Sequence, residues 1–144
     1  MTLAADLAAA LRLGRGAKPR TLLEFARTEI VVPTGPYRGR RFDPDLQPFA
    51  GLLFREIDAG RWGRIVVTGP TQSGKTLCAF TIPIMWSLFE LGDSTIVSAP
   101  GASMLQDKWL VDLLPAIQAS RYASRMPTRG AGSDRATNAS HRRA

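Results

Sequence analysis

One segment of the sequence has a residue pattern that binds phosphate, Gly69-Pro70-Thr71-Gln72-Ser73-Gly74-Lys75-Thr76. The pattern G-x-x-x-x-G-K-[ST] works because glycine lets the backbone curl until consecutive amides point at a phosphate. We predict that the amides of residues 73–76 bind the phosphates of ATP. Lys75 is the predicted catalytic cation at the β and γ phosphates, and the Thr76 hydroxyl is the predicted ligand of Mg²⁺. The nucleotide-binding set in this segment is Gly69, Gln72, Ser73, Gly74, Lys75 and Thr76.

Gln47 is a further candidate for nucleotide binding. It lies upstream of the loop, where motor ATPases often place a glutamine that reads adenine. An exposed glutamine at the start of a helix is the alternative interpretation.

The residues that would complete ATP hydrolysis are not evident. Hydrolysis also needs a carboxylate for the magnesium ion and a group that orients the attacking water. No apolar run followed by paired acids occurs after Ser98, and Asp107, Asp112 and Asp134 are predicted to lie on a helix or in the tail. We therefore expect the second half of the site to come from another chain, or the polypeptide to be cut short.

Composition excludes several other kinds of site. Cys78 is the single cysteine and His141 the single histidine, so the chain cannot build a zinc cluster, a Cys/His pair or a Ser/His/Asp triad. No run of about 18 apolar residues indicates a membrane span, and no basic segment precedes the N-terminal alanines as in a signal peptide. We expect a protein of the cytoplasm.

Positive charge is concentrated in two stretches of a chain whose net charge is +7. Residues 12–41 hold eight Lys and Arg against Glu24 and Glu29, and residues 121–144 hold six Arg against Asp134. Solvated charge and contact with a nucleic-acid backbone are both open interpretations.

The elements around the loop predict an α/β fold. Residues 64–68 and 94–98 are short β-branched runs that indicate buried parallel strands, and the helix between them makes a βαβ unit. We therefore predict a partial P-loop NTPase in residues 21–120. An N-terminal helix and linker occupy residues 1–20, and a basic disordered tail occupies residues 121–144, where Leu, Ile, Val and Phe are absent.

Apolar spacing predicts the helices. A short helix is expected in residues 1–13, another from Thr21, and a third over residues 46–57. A helix after Lys75 should run to Gly92 and bend near Pro83. A last helix should begin at a capping box of Ser103 and Gln106 and continue to about Ala119.

Several segments together resemble a known family. They are the loop 69–76, Ile82-Pro83-Ile84-Met85-Trp86-Ser87-Leu88-Phe89-Glu90, Ile96-Val97-Ser98-Ala99-Pro100 and Asp107-Lys108-Trp109. Over roughly residues 20–133 the chain resembles the ATPase domain of phage terminase large subunits of the GpA type. The resemblance implies a motor that uses ATP and Mg²⁺ to drive double-stranded DNA into a capsid, with the terminase small subunit and the capsid portal as partners. It implies phosphate and magnesium roles for Lys75 and Thr76 and an adenine contact for Gln47.

The chain departs from this family in its later part. The acidic magnesium motif, the coupling motif and the C-terminal nuclease domain have no counterpart, and the likeness ends near Ser133. We expect a truncated terminase: an ATP-binding fragment that is inactive alone, poorly soluble and located in the host cell cytoplasm. The alternatives are another P-loop DNA motor such as a helicase, and a non-catalytic DNA-binding or assembly module.

Overall fold

Four helices form the part of the chain that the computed structural model describes, residues 18–126. Helix α1 is Leu22–Glu29 and helix α2 is Pro48–Asp58. Helix α3, residues 77–91, runs without a break through Leu77–Thr81, Ile82–Trp86 and Ser87–Leu91. Helix α4, residues 102–118, comprises Ala102–Asp107, Lys108–Leu113 and Leu114–Gln118. Short 3-10 turns occupy Pro44–Leu46 and Arg121–Arg125. The helix predicted for residues 1–13 lies outside the described residues.

The predicted α/β fold, with its βαβ unit and parallel strands, is wrong for this structure. Residues 64–68 and 94–98 belong to no strand, and the one β pairing within residues 18–126 is an isolated antiparallel bridge between Val31 and Arg41. The physical reason is the lack of cover, since parallel strands are stable when both faces are buried. Val66 is 75% exposed and Ile96 is 95% exposed. A β-branched run therefore stays unpaired here.

The start of α1 is fixed by its cap and by α2. The Thr21 side chain accepts from the Glu24 amide, and Glu24 in turn accepts from the Thr21 amide, so two free helix N–H groups are satisfied. The Leu22 amide donates to Asp58 Oδ1 at 2.8 Å, which ties α1 to the end of α2. Burial raises the pKa of the Asp58 carboxyl. Both helices were predicted from apolar spacing, and both are confirmed.

Helix α3 accommodates Pro83 by a change of hydrogen-bond register. The Ile82 amide donates to the Leu77 carbonyl and the Gly92 amide donates to the Ser87 carbonyl, so both end segments use the wider π-type turn. Gly92 ends the helix with φ 69°, as a glycine in the left-handed region does. The predicted end of this helix is confirmed.

Helix α4 begins differently from the prediction. Gly101 is its N-terminal cap, and no side chain caps the first turn. The Ser103 and Gln106 capping box is therefore wrong, because Ser103 already lies inside the helix.

The core draws on every helix, which is why the four pack as one unit. Its most deeply buried side chains are Leu22, Phe25 and Ala26 of α1, Ala50 and Phe54 of α2, Cys78, Ile82 and Met85 of α3, and Ala116 and Ile117 of α4. Removing this apolar surface from water is the main source of stability.

An ion-pair network joins the two ends of the described chain. Glu29 is buried and its Oε1 lies 2.5 Å from an Arg20 nitrogen and 2.9 Å from an Arg121 nitrogen. Arg20 also binds Glu90 of α3 at 2.6 Å. The hydrogen bond from Arg20 lowers the pKa of the Glu90 carboxyl.

Ordered residues extend past the predicted start of the tail. Tyr122 is 4% exposed and its ring stacks on Phe89 with centroids 4.4 Å apart. The disorder predicted from Arg121 onward is thus wrong for residues 121–126. The buried ring of Tyr122 makes the apolar contact there, although Leu, Ile and Val are missing from this segment. The rest of that predicted tail, residues 127–144, lies outside the described residues.

Candidate phosphate-binding site

The loop of residues 69–76 has the backbone geometry of an anion-binding turn. Gln72 has φ 58° and Gly74 has φ 76°, so two closely spaced residues are in the left-handed region. Alternation of right- and left-handed residues makes successive amides point into one concavity. Left-handed φ costs a residue other than glycine about 1–3 kcal/mol, and such strain clusters at ligand-binding sites. The backbone thus fits the predicted cradle at Gln72 and Gly74.

Lys75 lies over this loop and is held by the loop itself. Its Nζ donates to the Gly69 carbonyl at 2.8 Å, to the Pro70 carbonyl, and to Ser73 Oγ at 3.2 Å. Ser73 Oγ donates to the Pro70 carbonyl at 2.9 Å. Within residues 18–126 no carboxylate pairs with Lys75. Its positive charge therefore faces neutral oxygens only and remains available to an anion.

Gln47 meets the loop at Gly74. A Cβ atom added at Gly74 would lie 2.7 Å from Gln47 Nε2 and 3.0 Å from Gln47 Oε1. Gln47 reaches this place because it follows the turn Pro44–Leu46 and precedes α2. The structure thus places the Gln47 side chain beside the loop, and the positive φ of residue 74 favours a glycine there.

Thr76 lies where the loop passes into α3, and its hydroxyl faces α4. Thr76 Oγ1 accepts from Lys108 Nζ at 3.5 Å, and Lys108 Nζ lies 2.8 Å from Asp112 Oδ2. Sequence analysis gave Lys108 no role, although the spacing of Lys108 and Asp112 by four residues is the signal for an ion pair on one helix face.

The residues fit phosphate better than they fit a protein-held metal. In the described part of the chain, no three His, Cys, Asp or Glu side chains lie close enough to hold a metal ion. Mg²⁺ in nucleotide sites is often held by few protein ligands together with substrate phosphates and water. Thr76 is the one predicted magnesium ligand, so the nucleotide would supply the others.

Cys78 does not take part in chemistry at this site. It is fully buried at the second residue of α3, and burial raises the pKa of its thiol to about 11. The thiolate form is therefore scarce near neutral pH. Cys78 is therefore a small buried residue of the core.

The flanks of the loop agree only partly with the expected context. Helix α3 follows the loop as predicted, but residues 64–68 before it belong to no strand. Within residues 18–126 no sheet supports the loop, and its own Ser73 and Lys75 side chains hydrogen-bond its backbone.

A second basic surface lies on the segment between α1 and α2. The Val32 amide donates to the Arg40 carbonyl and the Gly39 amide to the Val32 carbonyl, each at 2.9 Å, which closes residues 32–40 into a loop. Arg38, Arg40 and Arg41 are exposed on it, and no carboxylate within residues 18–126 pairs with them. We call residues 32–41 the arginine loop.

Comparisons with protein-family models, curated proteins and solved structures gave no match to this chain. Among residues 18–126, no helix has both the length and the apolar character needed to cross a lipid bilayer.

Proposed function

We propose that this protein binds ATP through the phosphate loop, residues 69–76. The observation that carries the proposal is the Lys75 ammonium, which is held over the loop by the Gly69 and Pro70 carbonyls and by Ser73 Oγ, with no carboxylate of the described residues beside it. A phosphate is a stronger partner for an ammonium than these neutral oxygens are, because its negative charge adds Coulomb attraction to the hydrogen bond. Phosphate would therefore displace them.

Each residue of the site has a proposed role. The amides of Ser73, Gly74, Lys75 and Thr76 cradle the phosphates, and Lys75 neutralises them. Thr76 is a ligand of Mg²⁺. Gln47, in contact with Gly74, is the proposed adenine contact.

ATP binding without efficient hydrolysis is the proposed activity of this chain alone. Hydrolysis requires a carboxylate that holds the metal and a group that orients water. Among the described residues, the acid tied to the site is Asp112, and it is linked to Thr76 only through Lys108. We therefore expect nucleotide to bind and turn over slowly.

A viral DNA-packaging motor is the proposed setting. Its support is the resemblance of the loop and of the Ile96-Val97-Ser98-Ala99-Pro100 and Asp107-Lys108-Trp109 segments to phage terminase large subunits. Double-stranded DNA, the terminase small subunit and the capsid portal are the proposed partners, and the host cytoplasm is the proposed location.

Lysine footprinting tests the proposed site directly, because the chain contains just three lysines, Lys18, Lys75 and Lys108. Acetylation by an amine-reactive reagent would be mapped by mass spectrometry with and without ATP and Mg²⁺. Bound phosphate should protect Lys75, whereas Lys18, which is exposed and lies before α1, should react equally in both samples. Equal labelling of Lys75 with and without saturating ATP would contradict the proposal.

Contact with the DNA backbone is a second candidate function, and the arginine loop favours it. Exposed guanidinium groups without carboxylate partners are the usual contacts to phosphate backbones. Replacing Arg38, Arg40 and Arg41 with Ala should weaken binding to duplex DNA. The slope of log K against log salt should fall by about 0.9 for each phosphate contact that is lost.

A matched triple variant separates a local contact from a general charge effect. Arg55, on α2, and Arg61 and Arg64, between α2 and the phosphate loop, are also exposed. Changing them to Ala removes the same charge, so an equal loss of DNA affinity would show that the arginine loop is not a specific contact. DNA binding that persists in Lys75→Ala, in a protein that binds no ATP, would instead favour the non-catalytic DNA-binding module.

A further inference from the structure

Lys108 lies beside the phosphate loop although it belongs to a distant part of the sequence. Its Nζ is 3.5 Å from Thr76 Oγ1, a contact between residues 32 positions apart. The same Nζ is 2.8 Å from Asp112 Oδ2, one turn further along α4. The side chains of Lys108 and Asp112 are 37% and 25% exposed, so both remain within reach of a solute. Packing of α3 against α4 thus places a second ammonium at the site.

Contact with Thr76 defines which end of a nucleotide Lys108 would meet. This step rests on the proposed function, in which the Thr76 hydroxyl binds Mg²⁺. In such sites the metal ion bridges the β- and γ-phosphate oxygens. A group against Thr76 therefore lies near the phosphate that ATP has and ADP lacks.

The two partners of Lys108 hold it with unequal strength. The bond to Thr76 is long and its acceptor is neutral, whereas Asp112 is a charged acceptor at short distance. A metal ion on the Thr76 hydroxyl would repel the ammonium nearby. Lys108 has three N–H donors, so it can leave Thr76 and bind a phosphate oxygen while it keeps or loosens its contact with Asp112.

We propose that Lys108 is a second phosphate-binding cation of this site, that it recognises the terminal phosphate of ATP, and that Asp112 restrains it in the nucleotide-free protein. Asp112 and the γ-phosphate compete for one ammonium. Removing the lysine and removing its carboxylate therefore have opposite effects on ATP affinity.

Calorimetric titration of the whole chain with ATP and with ADP, each with Mg²⁺, tests this proposal. Lys108→Ala should weaken ATP binding about tenfold, the loss expected for one hydrogen bond to a charged group. It should leave ADP affinity unchanged. Asp112→Asn should strengthen ATP binding and also leave ADP affinity unchanged.

The opposite signs exclude a merely structural role, because both variants break the same ion pair within α4. If that pair only stabilised the helix, both variants would change nucleotide affinity in the same direction. Lys108→Gln keeps most of the side-chain packing and serves as the second lysine variant if Lys108→Ala melts earlier than the unmodified protein. Equal losses of ATP and ADP affinity in Lys108→Gln, or weaker ATP binding in Asp112→Asn, would overturn the proposal.

Lys75→Ala distinguishes this inference from the proposed function. If the unmodified chain binds ATP, Lys75→Ala does not, and both Lys108 variants bind like the unmodified chain, the role of Lys108 is wrong and the phosphate loop stands. If the unmodified chain binds neither nucleotide, both proposals are wrong.

Discussion

Lys75 and Lys108 show how the same residue type can be poised differently within one site. Lys75 contacts neutral oxygens of its own loop, whereas Lys108 is paired with a carboxylate. An arriving phosphate needs to displace only weak partners at Lys75, but it must compete with a charge at Lys108. In the proposed site, Lys75 would therefore supply affinity for phosphate and Lys108 would discriminate between nucleotides.

Gly74 offers a sharp test at the level of single residues. Gly74→Ala puts a side chain at φ 76° and places its Cβ against Gln47. The left-handed backbone should cost about 1 kcal/mol of unfolding free energy, and the mobile end of Gln47 should move aside. Because the loop and Gln47 are both disturbed, we expect ATP binding to be lost. Urea unfolding and calorimetric titration measure the two effects.

Gly92→Ala is the matched control for this variant. Gly92 also has positive φ, 69°, but a Cβ there would meet nothing within 4 Å, and it lies at the far end of α3. The Gly92→Ala variant should lose a similar amount of unfolding free energy and keep its affinity for ATP. Similar losses of ATP affinity in both variants would show that the loop at Gly74 has no special role.

The residues of the loop can be recognised in the sequence, whereas Lys108, the partner across from Thr76, cannot. The pattern of Gly69, Gly74, Lys75 and Thr76 is local, and Gln47 was found from its position upstream of the loop. Lys108 was missed because its contact with Thr76 arises from the packing of two helices, which no local spacing encodes.

The fold is held together where Arg20, just before α1, contacts α3. Arg20 pairs with Glu90 near the end of α3, and the Trp86 indole donates to the Arg20 carbonyl at 2.9 Å. Since Arg20 lowers the pKa of Glu90 below its ordinary 4.5, the ion pair stabilises the fold above that pH and is lost as pH falls through the folded-state pKa. We expect Glu90→Gln to cost about 2 kcal/mol at pH 7.

Thermal melting of Glu90→Gln from pH 7 to pH 3 measures this contribution. The gap in melting temperature from the unmodified protein should close in acid, because the Glu90 carboxyl is then protonated and as uncharged as the glutamine that replaces it. Glu56→Gln removes an acid whose pair with Arg61 lies at the surface, where water screens it, and should change the melting temperature little. A gap at Glu90 that is constant with pH would contradict the account.

Helices were predictable here because their signals are internal to each segment. Apolar spacing and Gly92 indicated α3, and the residues from Thr21 indicated α1. Strands could not be predicted in this way, because a strand needs a neighbouring strand to accept its hydrogen bonds. Residues 64–68 and 94–98 have no such neighbour in the described structure. The β-branched pattern therefore predicts strands at residues 64–68 and 94–98 that the structure does not form.

At the scale of the whole molecule, residues 64–68 and 94–98 carry the most exposed large apolar residues of the described chain, Val66 at 75% and Ile96 at 95%. Neither segment is paired in a sheet, and an unpaired β-branched segment can pair with another molecule. We expect the protein to self-associate as its concentration rises. Ile96→Lys should reduce this association, because a charged side chain on such an edge opposes pairing. Light scattering across a concentration series measures it.

Leu52→Lys is the control for this effect. Leu52 is 57% exposed but lies on α2, whose backbone is already hydrogen-bonded. The Leu52→Lys variant should reduce self-association less than Ile96→Lys does. If the unmodified protein stays monomeric at high concentration, residues 64–68 and 94–98 do not promote self-association.

Equilibrium binding of ATP to the unmodified chain, beside Lys75→Ala and Lys18→Ala, is the most direct measurement of the central claim. The account predicts saturable binding of one ATP, loss of that binding in Lys75→Ala, and unchanged binding in Lys18→Ala. Binding that is absent from the unmodified chain, or that Lys75→Ala retains in full, would contradict the claim that residues 69–76 form a nucleotide phosphate site.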